Sequence, residues 1–143
     1  MSATETNKGE LPRFVLASGS PRRRSLLAGL DIQPEVRPVD IDETPRSGEL
    51  PEDLVLRLAA AKAGEVTTPD ELILAADTIV VLDDEILGKP EDPAHASEML
   101  SKIAGRRHTV LSGVALLDAG RDRLFADVER TEVDMAPMSR RQI

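Results

Sequence analysis

One stretch of the sequence, FVLASGSPRRRSLL at residues 14–27, limits the possible folds more than any other. The apolar run at residues 14–17 predicts a buried strand. A tight polar turn follows, and Ser20 as N-cap with Pro21 in the first helical position predicts that a helix begins there. The first helical turn then carries Arg22, Arg23 and Arg24. A helix start bears partial positive charge, so three bases at this place need an explanation.

A bound anion would explain these arginines. A strand, a turn of small residues and a helix N-terminus together form a recurrent phosphate-binding arrangement. In such a site the hydroxyls of Ser18 and Ser20 donate to the anion or cap the helix rather than act as nucleophiles. The alternative is a solvated basic turn, and this stretch alone leaves both interpretations open.

Composition excludes several classes of protein. The net charge of −8 argues against a nucleic-acid binder, whose usual footprint is a basic face. The absence of cysteine excludes disulfides and thiolate chemistry and is typical of a reducing compartment. No apolar run is long enough to span a membrane, and residues 1–10 lack the apolar core of a signal peptide. We therefore expect a cytoplasmic protein without membrane or nucleic-acid partners, and a disordered tail at residues 1–10.

The remaining pattern predicts alternating strands and helices, an α/β fold. An edge strand is expected within residues 32–39, because Pro34 and Pro38 exclude a central position. An acidic loop at residues 40–53 leads into a helix that begins near Pro51. Further elements are predicted in this order: a strand at residues 72–76 that ends at Asp77, a continuation through residues 79–82, a return through residues 85–87, a helix capped by Asp92, and strands at residues 109–117 and 123–135.

Isolated charged residues are the candidates for chemistry. Asp77 follows a buried strand, where ligands bind in open α/β sheets, although turn capping is the commoner role of a single Asp. Glu43 lies in the acidic loop, and Lys62 and Lys89 are lone cations for which surface exposure is the usual explanation. With the arginines, these residues describe a polyphosphate site with carboxylates for Mg²⁺, which takes one or two carboxylates plus phosphate and water. The residues alone leave open which phosphate bond breaks, or whether any does.

Several ordered blocks resemble one family. LASGSPRRRSLL, VDIDETP, LAAAKA, LAADTIVVLDDEILGKPEDPAHASEMLSKIAG and RRHTVLSGVALL resemble the consecutive signatures of the Maf proteins, septum-formation-type nucleoside triphosphate pyrophosphatases. The resemblance runs from about Phe14 to the C-terminus. It implies an elongated mixed α/β sheet flanked by helices with a central cleft, as in the inosine triphosphate pyrophosphatases. It also implies hydrolysis of a nucleoside triphosphate to the monophosphate and pyrophosphate with a divalent cation, Mg²⁺ or Mn²⁺.

The resemblance assigns roles to particular positions. It implies substrate contacts from Ser18, Arg22, Arg23, Lys62, Thr78 and Lys89. It implies Asp77 as the general base, and Glu43 with Asp77 as ligands of the metal. Asp-Thr-Ile at residues 77–79 is similar to the dTTP/UTP branch, whereas the branch similar to 7-methyl-GTP pyrophosphatases carries Gln after that Asp.

The family pattern continues past Ile143 with a block resembling Asp-Lys-Ala-Gly-Ala-Tyr-Gly-Ile-Gln-Gly. A capping box, Ser139 with Gln142, stands close to the end of the chain. We therefore expect residues 11–143 to be a Maf-like domain that lacks its C-terminal part, with reduced activity and a tendency to self-associate. A homodimer is one candidate assembly. The alternative functions are a nucleotide-binding regulator of cell division without turnover, and a phosphate-binding domain without base preference.

Overall fold

The computed structural model describes residues 13–66 and 70–143, so the tail predicted for residues 1–10 lies outside the described residues. The described residues form six strands and three helices. They are β1 Arg13–Leu16, α1 Pro21–Ala28, β2 Glu35–Val36, α2 Pro51–Glu65, β3 Glu71–Leu82, β4 Glu85–Leu87, α3 Pro93–Ile103, β5 Arg107–Asp118 and β6 Arg123–Asp134. No helix in this part of the chain is long and apolar enough to cross a membrane.

The strands form one mixed sheet. Its order is β2-β1-β3-β5-β6, and β4 pairs with β3 outside this path. β1 runs parallel to both β2 and β3, whereas β5 is antiparallel to β3 and β6 is antiparallel to β5. β2 lies at the sheet edge, as its flanking prolines predict. The α/β fold class predicted from the sequence is confirmed.

β3 differs from its prediction. The sequence indicated a strand that ends at Asp77, but Asp77 lies in the interior of one strand, Glu71–Leu82. The reason is the antiparallel partner β5, which pairs with β3 continuously from Leu72 to Val81 and places Gly113 opposite Asp77. This long ladder carries β3 through the polar pair Asp-Thr without a break.

The other edge of β3 is paired in two separate parts. β1 pairs with residues 71–74, and the amide of Ala17 extends this ladder to the carbonyl of Leu74 at 2.9 Å. β4 pairs with residues 80–82. Among the described strands, none pairs with residues 75–79 on this edge, which we call the β3 gap. The end of β1 and the start of α1 lie beside the β3 gap. The strand that ends at this place is therefore β1 and not β3.

Helix α2 covers one face of the sheet. It buries Leu54, Val55 and Leu58 and, further along, two alanines against β3 and β5. A Cβ added at Gly113 of β5 would lie 2.3 Å from the carbonyl oxygen of Val55. Glycine is therefore what allows the backbone of α2 to approach β5 directly opposite Asp77.

Helices α1 and α3 pack more loosely, and neither contains a buried residue. The cap predicted for α3 is present, because Asp92 Oδ1 accepts a hydrogen bond from the amide of His95 at 2.7 Å. The predicted capping box is present as well. The amide of Ser139 donates to Gln142 Oε1 at 2.8 Å, and the amide of Gln142 donates to Ser139 Oγ at 3.2 Å.

A candidate active site at the gap in the sheet

A cleft of about 880 Å³ opens at the β3 gap, a volume in the usual range for small-molecule sites. Every site residue predicted from the sequence lines it: Ser18, Arg22, Arg23, Glu43, Lys62, Asp77, Thr78 and Lys89. Asp77 and Thr78 are consecutive, so their side chains point to opposite faces of β3. The missing neighbour strand lets both side chains contribute to the same cleft.

Asp77 has the most distinctive environment in the cleft. Its side chain is 8% exposed, and Oδ1 accepts a bond from Lys62 Nζ at 2.9 Å. Oδ2 is buried and has no hydrogen-bond partner among the described residues. Burial of a polar oxygen without a partner is costly, so Oδ2 of Asp77 is suited to bind a ligand that enters the cleft.

Lys62 joins two carboxylates. It projects from the last turns of α2, is 12% exposed, and its Nζ lies 3.1 Å from Glu43 Oε1 as well as 2.9 Å from Asp77 Oδ1. Glu43 belongs to the loop between β2 and α2. The structure therefore brings both predicted metal ligands to a single ammonium group.

These carboxylates fit the divalent cation that the family resemblance implies. Within the described residues, no group of three or more His, Asp or Glu side chains is placed to hold a metal ion. Mg²⁺ in phosphate-transfer sites needs fewer protein ligands, because phosphate oxygens and waters complete its coordination shell. Asp77, with its unpaired Oδ2, and the half-exposed Glu43 supply the one or two carboxylates required.

Arg23 spans the β3 gap from the other side. Its Nη1 donates to Ser18 Oγ at 3.1 Å and to the carbonyl of Ala76 at 3.0 Å. Its Nη2 donates to Thr78 Oγ1 at 3.4 Å. The bond to Ala76 satisfies a carbonyl that a neighbouring strand would otherwise have paired. These bonds fix the guanidinium at the cleft and leave Nε without a partner among the described residues.

The other two arginines of α1 are exposed. Arg22 lines the cleft and Arg24 does not. Lys89, beyond β4, is an exposed cation at the far rim of the cleft. Ser20 occupies the predicted N-cap position of α1, but its side chain makes no capping hydrogen bond. The amide of Ser20 instead donates to Ser18 Oγ at 3.1 Å, which orients the hydroxyl that also receives Arg23.

Sequence reasoning missed Ser112. Its Oγ lies 3.2 Å from Thr78 Oγ1, so the hydroxyl of Ser112 supports the network of Arg23 and Thr78 from β5. Only the register of β3 against β5, which pairs residue 78 with residue 112, could have indicated this contact.

Sequence reasoning also missed the ion pair of Arg57 and Glu49. Arg57 Nε and Nη2 donate to the two carboxylate oxygens of Glu49 at 2.7 and 2.8 Å. Hydrogen bonding from Arg57, then from the amide of Arg46, lowers the pKa of Glu49 from the ordinary 4.5 to about 2. The same pairing raises the pKa of Arg57.

The cleft and its residues define a class: an α/β protein whose cleft brings two carboxylates together with cationic side chains. Solved structures place the fold. The HAM1 protein from Coxiella burnetii aligns with a TM-score of 0.54 and 18% identity, covering 87% of this chain and 73% of that one. The Ham1 protein of Staphylococcus aureus aligns with a TM-score of 0.53 and 15% identity, covering 85% and 71%.

Residues 13–143 match the family described as Maf-like protein, and the chain belongs to this family. Curated relatives named dTTP/UTP pyrophosphatase are similar to it. The relative from Ruegeria sp. (strain TM1040) is 48% identical over 128 residues, covering 88% of this chain and 65% of the relative. The relative from Anaeromyxobacter dehalogenans (strain 2CP-C) is 54% identical over 105 residues, covering 73% and 53%. The chain thus spans between about half and two thirds of the length of these relatives.

Proposed function

We propose that the protein is a nucleoside triphosphate pyrophosphatase that converts dTTP- or UTP-type nucleotides to the monophosphate and pyrophosphate. The observation that carries this proposal is the unpaired, buried Oδ2 of Asp77, which lies in one cleft with Lys62 and with the anchored guanidinium of Arg23. The names of the curated relatives support the reaction and the substrate class. Thr78, which follows Asp77 as in the dTTP/UTP branch, supports the same assignment.

In this proposal, the side of the cleft formed by α1 binds the phosphates. Arg23 keeps its Nε–H for the triphosphate, because its bonds to Ser18, Ala76 and Thr78 use only Nη1 and Nη2. Ser18 stays oriented by the amide of Ser20, and Arg22 adds charge at the rim. Since these groups are fixed before binding, less conformational entropy is lost when the triphosphate is ordered.

The proposed chemical step uses Asp77 as general base. A water molecule adds to the α-phosphorus, on the side opposite the oxygen that bridges to the β-phosphate, and its proton passes to the carboxylate of Asp77. The bond from phosphorus to the bridging oxygen breaks, and pyrophosphate leaves with the bonding electron pair. Lys62 and Lys89 stabilise the negative charge that develops on the phosphates.

A divalent cation, Mg²⁺ or Mn²⁺, would be held by Asp77 and Glu43, and when bound it would neutralise phosphate charge and acidify a bound water. Lys62, which contacts both carboxylates, holds them close together before substrate enters.

Pyrophosphate release from a panel of nucleoside triphosphates, with Mg²⁺ or Mn²⁺, tests the proposal. We expect turnover that is fastest with dTTP and UTP, and that is lost on Asp77→Asn. Tight nucleotide binding without release of pyrophosphate would instead support a regulator without turnover. Binding of triphosphates without preference among the bases would support a phosphate-binding domain. The cytoplasmic location, the homodimer and the lack of nucleic-acid partners stay predictions from the sequence.

A further inference from the structure

Contacts of other residues are needed to hold Glu43 at its position in the cleft. It lies in the loop between Val36, where β2 ends, and Pro51, where α2 begins, and this loop has no regular secondary structure. Its side chain is 45% exposed, and its ion pair is with Lys62 alone among the described residues. Because Glu43 is half exposed, solvent weakens this ion pair, which contributes little to the order of the loop. The position of Glu43 in the cleft must therefore be fixed by the rest of the loop.

A single guanidinium holds the loop at two points. Arg57 of α2 binds both carboxylate oxygens of Glu49, near the end of the loop, and its Nη2 also donates to the carbonyl of Thr44 at 3.2 Å. Thr44 is the residue directly after Glu43. Glu49 Oε1 in turn accepts a bond from the amide of Arg46 at 3.0 Å, which closes the turn between these points.

Helix α2 carries both the residue that binds the loop and the residue that pairs with Glu43. Arg57 and Lys62 are five residues apart on α2, a rise of about 7.5 Å. Arg57 fixes the backbone beside Glu43, while Lys62 receives its side chain. The pair of Arg57 and Glu49 is also well shielded, with 23% and 10% of their side chains exposed, and bidentate geometry is the strong form of this interaction.

We propose that Arg57 and Glu49 are positioning residues, which hold the loop so that Glu43 faces Lys62 and Asp77 in the cleft. The ligand concerned is the divalent cation of the proposed function, on which this inference rests. When the ion pair of Arg57 and Glu49 is lost, the Glu43 side chain is no longer held in the cleft. Residues that orient metal ligands typically change metal affinity by about 10–100-fold when they are substituted.

The test introduces Glu49→Gln and Arg57→Lys into the full-length protein and compares each variant with the unchanged full-length protein. The first variant removes the charge that Arg57 binds, and the second keeps charge but loses the bidentate fork. Asp134→Asn is the matched control, because Asp134 is bound by Nε and Nη2 of Arg107 in the same bidentate manner, but this ion pair joins β5 to β6 and involves no residue of the loop.

The first readout is amide hydrogen exchange of residues 40–50 without metal or nucleotide. We expect faster exchange in Glu49→Gln, a smaller increase in Arg57→Lys, and wild-type exchange in Asp134→Asn. The second readout is Mn²⁺ binding by calorimetry with a non-hydrolysable dTTP analogue. We expect the dissociation constant to rise about 10–100-fold in Glu49→Gln and to stay unchanged in Asp134→Asn.

If the loop amides exchange at the wild-type rate in both Glu49→Gln and Arg57→Lys, the proposal is overturned. Equal effects from Asp134→Asn would overturn it as well, because they would indicate general destabilisation. Failure of the proposed function has a different signature: the unchanged protein would bind no Mn²⁺ with the analogue and would release no pyrophosphate. The loop-exchange comparison would still decide in that case whether Arg57 and Glu49 hold Glu43 in position.

Discussion

Gly113→Ala tests the close approach of α2 to the sheet. The added Cβ would lie 2.3 Å from the carbonyl oxygen and 2.5 Å from the carbonyl carbon of Val55, where ordinary contact begins at 3.4 Å. The atoms in the way belong to the helix backbone, so no rotamer change relieves the overlap. Helix α2 would have to retreat by about 1 Å, and overpacking of this kind costs about 1–3 kcal/mol, occasionally more.

We expect a loss of about 3 kcal/mol in the free energy of unfolding, at the upper end of that range, because a backbone rather than a side chain must move. The retreat of α2 would also lengthen the contact of Lys62 with Asp77, which lies opposite Gly113. Urea unfolding of the variant and the unchanged protein measures the first effect, and pyrophosphate release measures the second.

Gly64→Ala is the control. Gly64 lies in α2 and an added Cβ there would meet nothing within 4 Å. Because glycine within a helix is unfavourable relative to alanine, we expect this variant to gain about 0.5–1 kcal/mol. A Gly113→Ala variant within about 0.5 kcal/mol of the unchanged protein, the range of neutral surface substitutions, would refute the described approach of α2 to β5.

Three further predictions concern two residues of the cleft and the ion pair that holds the adjacent loop. Asp77→Asn should lower the rate of pyrophosphate release by about 10²–10⁴-fold with an unchanged fold by circular dichroism, and near-normal turnover at neutral pH would remove it as the base. Arg23→Ala should raise the KM for the triphosphate more than Arg24→Ala does, since only Arg23 is bonded across the β3 gap, and equal effects would indicate a diffuse basic patch. The lowered pKa of Glu49 means that its ionised form stabilises the fold above about pH 4.5, and that this contribution is lost as the pH falls towards about 2. Between about pH 4.5 and pH 2, the free energy of unfolding should therefore fall less steeply in Glu49→Gln than in the unchanged protein. The same pH dependence in both proteins would contradict the ion pair of Arg57 and Glu49.

Much of the fold could be predicted because its signals are local. Proline placement indicated the edge strand, and Asp92 with Pro93 indicated the start of α3. The prediction that a strand ends at Asp77 was wrong. A local pattern carries no information about a partner, and β3 continues through Asp77 because β5, more than 30 residues away in sequence, supplies a complete ladder.

The candidate site divides in the same way. The arginines of α1 and the carboxylate of Asp77 were predicted from short motifs. Lys62, Lys89 and Glu43 were candidates only as isolated charges, and the family resemblance gave them their roles. Their mutual distances depend on packing: Lys62 reaches Asp77 only because α2 lies on that face of β3. Arg57 could not be predicted, because Glu49 lies eight residues before it in a loop whose shape their pairing itself creates.

The absence of any buried residue in α1 has a consequence for affinity. A helix that buries little apolar surface gains little stability from packing, so the order of α1 depends on its helix propensity and on the bonds that Arg23 makes to Ser18, Ala76 and Thr78. The apparent dissociation constant of an anion equals the intrinsic constant divided by the fraction of molecules in which α1 is ordered. Substitutions that change helix propensity on the exposed side of α1 will therefore change the affinity for phosphate without touching a phosphate-binding group.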